Sequence, residues 1–98
     1  MQNHKYRVSV SYIEDREGNP VEGRSLEFVV GNHDEILGIV ERIRNTKQFE
    51  GDDAAAFAIG LKLFGEVMLK NKDNPLFSEL RPQFVEFMKK LKSTVKNG

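Results

Sequence analysis

The sequence predicts an α+β domain: a long-looped antiparallel β-hairpin followed by three to four helices, in the order ββααα. Three observations carry this. Tyr6, Val8, Val10 and Tyr12 alternate with Arg7, Ser9 and Ser11, the period of two that marks a half-buried strand. Leu26, Phe28 and Val30 resume the same period against Ser25, Glu27 and Val29. From Ile36 onward the apolar spacing changes to three and four, the period of an amphipathic helix. The expected organisation is a single domain over 1–98, with the hairpin at 5–30 and the helical part at 32–96.

The strands are joined by a segment, Glu14 to Gly23, that gathers Asp15, Gly18, Asn19, Pro20 and Gly23, all turn formers. The connection is longer than the two to five residues usual in hairpins. Gly31-Asn32 then ends the second strand. Asn32 is expected to cap the first helix, with Glu35 three residues on as its capping-box partner. Ile36, Ile39, Val40 and Ile43 line one face of that helix, and Glu35, Glu41, Arg42 and Arg44 the other.

Asn45 to Gly51 reads as a loop with Phe49 turned inward. The second helix opens at Asp52 or Asp53, where a carboxylate suits both the cap and the positive end of the helix dipole. From Ala54 to Leu69 it is apolar nearly all round. Lys62, Glu66 and Lys70 form one narrow polar stripe, so the helix is expected at the buried centre of the fold. Its alanines, with Gly60 and Gly65, are expected to let neighbours approach closely.

Asn74 caps a short helix with Pro75 in its first position, over 75–80, and Pro82 starts another. In that last helix Phe84, Phe87, Met88, Leu91 and Val95 form an inward stripe.

Charge narrows the partners. Fifteen Lys and Arg balance fifteen Asp and Glu, which removes the simplest argument for a polyanionic partner. The balance is uneven along the chain: residues 1–50 carry seven bases and nine acids, residues 51–98 eight and six. The absence of cysteine excludes disulfides, thiol catalysis and cysteine-ligated metal centres. Met1 to Arg7 lacks the apolar core of a signal peptide, and the longest apolar stretch is interrupted by Lys62 and Glu66. A cytoplasmic location without membrane attachment is the expectation.

Few residues argue for chemistry. His33-Asp34-Glu35 is the one run of adjoining polar candidates for ligand binding. Neighbouring residues on a helix point about 100° apart, however, whereas metal ligands need positions three or four apart. A capped and solvated first helical turn accounts for the run, and no metal is expected. Glu50, Asp52 and Asp53 lack the further acidic positions of a calcium loop. Gly60 to Gly65 has the glycine spacing of a phosphate loop without the Lys-Ser/Thr that follows one. No catalytic residue and no cofactor is assigned.

Lys89, Lys90, Lys92 and Lys96 form a candidate basic patch. Cations also suit a helix C-terminus without any ligand, and nucleic acid is disfavoured by the overall balance.

Read together, six stretches carry a family likeness: His4-Lys5-Tyr6-Arg7-Val8, Gly18-Asn19-Pro20-Val21-Glu22-Gly23, Asn32-His33-Asp34-Glu35-Ile36, Ala55 to Phe64, and Asn74-Pro75-Leu76-Phe77 with Phe87 to Lys92. The chain resembles a small bacterial family known only as a domain of unknown function. The resemblance spans nearly the whole chain and implies a bacterial, cytoplasmic protein. It transfers no catalytic residue, substrate or cofactor.

The leading expectation is a small non-enzymatic module that binds an unidentified protein or itself. Two strands alone are marginal in water and leave open edges. A homodimer joining two hairpins edge to edge into a four-stranded sheet answers both problems. The alternatives are a small-ligand binder or minor enzyme with a pocket between hairpin and helices and His33 as its polar group, and a weak nucleic-acid binder through the basic last helix.

Overall fold

The computed structural model describes residues 3–97. Two strands, β1 (His4–Ser11) and β2 (Ser25–Asn32), pair antiparallel with His4 opposite Asn32, Tyr6 opposite Val30, Val8 opposite Phe28 and Val10 opposite Leu26. Because paired residues share a face, this register gathers Tyr6, Val8, Val10, Leu26, Phe28 and Val30 on one side. It puts Lys5, Arg7, Ser9, Glu27 and Val29 on the other.

The long connection is largely zipped. Tyr12 N–H donates to Arg24 O at 2.9 Å and Val21 N–H to Ile13 O at 2.8 Å, and Glu14 bridges Pro20. Partner numbers sum to 36 up to Tyr12–Arg24 and to 34 beyond it, so Glu22 and Gly23 bulge out of the second arm. Gly23 takes a positive φ of 76° there, which glycine adopts without the clash a side chain brings.

The tip is a tight turn from Asp15 to Asn19. Its carboxylate accepts the Asn19 and Glu17 amides, both at 2.9 Å, and Gly18 turns through φ 88°. The Asn19 amide is the largest influence on the Asp15 carboxyl. Together with the Glu17 amide it holds that carboxyl below its ordinary 3.8, against a smaller opposing effect of desolvation.

The hairpin unit ends at His33, and a helical unit begins at Asp34. Its elements are α1 (Ile36–Asn45), α2 (Asp53–Lys70), α3 (Pro75–Ser78) and α4 (Leu80–Asn97). The α+β order ββ followed by four helices is thus as expected, with several local corrections.

Asn32 is a buried strand residue, not the cap of α1. Glu35 is the N-cap, and its carboxylate accepts the Leu37 and Gly38 amides at 2.8 and 3.3 Å. Gly38 leaves room beside this carboxylate: a Cβ there would lie 3.2 Å from Glu35 Oε1, which would have to shift by a few tenths of an ångström. Asp52 precedes α2 but its side chain makes no capping bond, leaving Asp53 to favour the helix start through the dipole alone. At α3, Asn74 caps as expected, accepting Leu76 N–H at 2.9 Å. Helix α4 begins at Leu80, two residues before Pro82, which falls in the first turn where a missing amide proton costs no helical bond.

The helical core joins Val40 and Ile43 of α1 to Ala54 and Ala58 of α2, with Ile39, Phe57, Ile59 and Val95 packed around them. The alanines let the α1 and α2 backbones approach closely, whereas phenylalanine rings mediate the packing of α2 against α4. Phe57 stacks on Phe49 at 4.9 Å and meets Phe87 edge-on at 6.2 Å. Two turns later Phe64 meets Phe77 and Phe84 edge-on at 5.9 and 5.8 Å. Gly65 serves close approach, since a Cβ there would lie 3.4 Å from the Phe84 ring; Gly60 faces open space and does not.

The expectation of α2 as the buried centre of the fold, wet only along the stripe of Lys62, Glu66 and Lys70, fails. Phe64, Val67 and Leu69 are exposed, while Glu66, assigned to a wet stripe, is buried. Four-residue spacing identifies a shared face, but a face's solvent exposure depends on what packs against it.

Candidate functional site

Of the polar run before α1, His33 is exposed at the end of the hairpin unit. Asp34 is paired with Lys62 of α2 at 2.9 Å, both side chains being largely withdrawn from water. Glu35 caps α1. Asp34–Lys62 therefore ties the start of α1 to the middle of α2, one turn before the buried Glu66. Among the described residues no group of three or more His, Asp and Glu is placed to hold a metal ion.

In the basic patch, Lys89 lies 3.5 Å from Glu86, an exposed pair one turn apart, and Lys90, Lys92 and Lys96 are exposed along α4. Exposed pairs of this kind contribute at most about 1 kcal/mol. No helix of the described residues is long and apolar enough to cross a membrane.

The hairpin offers the more developed surface. On its apolar face Val10 is 57% exposed and Leu26 62%, and Phe28 is also open to solvent. Side chains that alternate for burial are thus left wet where they pair directly across the strands. On the polar face Glu27 accepts from Arg7 Nε at 3.3 Å and from Ser9 Oγ at 3.2 Å, so its charge is met within the hairpin. Lys5, on the same face, has no ion-pair partner among the described residues.

The backbone adds two edges. Tyr12 N–H bonds Arg24 O, and the register is unbroken from that pair to His4–Asn32. The amides and carbonyls of Val10, Val8 and Tyr6 therefore turn inward to Leu26, Phe28 and Val30. The alternate residues turn theirs outward: Lys5, Arg7, Ser9 and Ser11 on β1, and Ser25, Glu27, Val29 and Gly31 on β2. No third strand joins the sheet among the described residues.

The two edges differ. The outward row of β1 carries Lys5 and Arg7, charges that deter pairing. The outward row of β2 holds the 61% exposed Val29 and the side-chain-free Gly31. Beside them is an open groove lined by Asn3, Lys5, Val29, Val30 and Gly31. None of these five is among the residues the sequence put forward as candidates. The signal was Val29, an apolar residue in a polar register position.

Comparison with known proteins places the whole arrangement. A family model, DUF3861, described as a domain of unknown function with a solved structure, matches residues 4–93, from the start of β1 into α4. The chain is similar to a crystal structure of a protein of unknown function from Pectobacterium atrosepticum. The two are 32% identical with a TM-score of 0.79, over 93% of this chain and 98% of that one. No curated protein matches.

Proposed function

The chain belongs to the DUF3861 family, and within it we propose that this protein is a small non-enzymatic protein-interaction module whose contact element is the hairpin. One observation carries the reading: the apolar face of a two-stranded sheet is left open to water at Val10 and Leu26, with pairing groups directed outward along both edges. Exposed apolar surface beside open sheet edges is the kind of surface that protein partners cover. Self-association through a sheet edge is its simplest form, since it extends the sheet beyond the marginal two strands. A bacterial setting accompanies the reading, supported by the similarity to the protein from Pectobacterium atrosepticum, and a cytoplasmic location is proposed with it.

The test is a comparison of the wild type with a Val10→Lys/Leu26→Lys variant, immobilised and exposed to extract of the native cell, with captured proteins identified by mass spectrometry. Both substitutions lie on exposed positions, so the thermal unfolding midpoint should be nearly unchanged. The expected result is loss of the specifically captured proteins, including untagged copies of the chain itself. Identical capture by both forms would overturn the proposal.

A further inference from the structure

We propose that the β2 edge is a self-recognition site, on which a second copy of the chain pairs β2 antiparallel to β2 with Val29 on the twofold axis. The inference rests on the interaction reading above and specifies which edge is used, in which register, and by what charges.

Three features select this arrangement. First, symmetry: an antiparallel pairing of one strand with itself is isologous and closes at two copies. Second, the registers are not equivalent. Centring on Glu27 would put two like carboxylates directly opposite each other, which is destabilising. Centring on Val29 puts Val29 against Val29 and Glu27 against the partner's Gly31. In the same register Phe28 lies opposite the partner's Val30. The row Tyr6–Val30 of one copy thereby continues into Phe28–Val8 of the other, and the apolar face runs unbroken over four strands.

Third, the charges fit. Gly31 has no side chain, and the next residue inward on the same face is Lys5. Glu27 of the second copy, still held by its own Arg7 and Ser9, would approach across Gly31 beside the Asn3 side chain, with its carboxylate toward the Lys5 ammonium. The two Cα atoms would be two strand spacings apart, about 10 Å, a span that a lysine and a glutamate bridge together. The groove beside Gly31 is the space this carboxylate would enter. By symmetry the contact occurs twice. The β1 edge offers no such match: its outward residues are Lys5, Arg7, Ser9 and Ser11, with no acid among them.

The chain's lack of cysteine makes the test direct. In the proposed pairing the two Val29 Cα atoms sit about 5.5 Å apart, within the range a disulfide spans. Val29→Cys should therefore convert to a covalent dimer under mild oxidation at micromolar concentration, and Ser9→Cys on β1 should not. Light scattering should show a wild-type dimer. Lys5→Glu, which breaks no ion pair among the described residues, should weaken that dimer about tenfold by placing like charges together twice. Adding Glu27→Lys should restore it.

A dimer that Val29→Cys fails to trap, or that Ser9→Cys traps instead, would overturn the assignment of β2 while leaving the interaction module standing. A wild type that is monomeric throughout the micromolar range would overturn the assignment as well. Capture of another protein, lost in Val10→Lys/Leu26→Lys, would then show that the hairpin face still acts. Failure of both measurements would remove both readings.

Discussion

In the helical unit Ile36, Val40, Ile43, Ala54 and Ala58 are removed from water, whereas in the hairpin the paired Val10 and Leu26 each keep more than half their surface exposed. Both regions carry regular apolar patterns, and in both the pattern forms the element it predicts. The difference lies in what each region supplies for itself. Helices α1 and α2 bring two apolar faces together, and small residues on one receive branched residues of the other. A two-stranded sheet taken by itself brings one apolar face and no second layer. Periodicity thus specifies an amphipathic element in both cases, but only a facing surface turns that element into core.

The contrast is broken most forcefully at Ile43. Ile43→Ala removes a buried side chain from the α1–α2 contact and should cost about 2–5 kcal/mol in urea unfolding. Leu26→Ala should change stability by no more than about 0.5 kcal/mol. A comparable loss at Leu26 would mean that the hairpin face is covered in solution and that the two regions do not differ as described.

A smaller effect tests the polar tie within the helical unit. Lys62→Ala removes the Asp34–Lys62 ion pair from a largely withdrawn position and should cost about 1–3 kcal/mol. A double-mutant cycle with Asp34→Asn should recover a coupling energy between the two sites. Independence of the two substitutions would show the pair to be solvent-screened, like the exposed Arg7–Glu27 pair of the hairpin.

The two glycines of α2 sharpen the picture further. Gly60→Ala should stabilise the protein by about 0.5–1 kcal/mol, because alanine has the higher helix propensity and meets nothing there. Gly65→Ala should gain less, since its methyl would press on the Phe84 ring. Equal gains would show that the ring-mediated contact of α2 with α4 yields easily.

The smallest effect is at the hairpin tip. The Asp15 carboxyl titrates lower in the folded hairpin than in the unfolded chain, so its contribution is fully present above about 3.8 and is lost as pH falls through the lower folded value. Amide resonances of Asn19 and Glu17 followed by NMR should move with a midpoint below 3.8. A midpoint at 3.8 or above would show that the turn is not held by that carboxylate.

Much of this architecture was legible because it is local. The alternation around Val8 and Phe28, the cap at Asn74 and the stripe from Ile36 to Ile43 each depend on residues within a turn or two of one another. The first cap was misread because Asn32 and Glu35 are both able to close a helix end. The choice between them depends on whether β2 extends through Asn32, which the register with His4 decides. The candidate surface was less legible. Val29 differs from its alternating neighbours by one apolar side chain, and its place on an open edge emerges only when β2 is seen to be an edge strand.

The sequence by itself therefore determined the element types, their order, most of their ends and the apolar faces, because dihedral preference, side-chain period and capping act over a few residues. Only the tertiary structure decided that Glu66 is buried while Leu69 is wet, that Gly65 meets a ring while Gly60 meets none, and that no third strand pairs with β2 among the described residues. Those outcomes depend on which surfaces meet across long separations in the chain. A linear pattern carries no direct term for that.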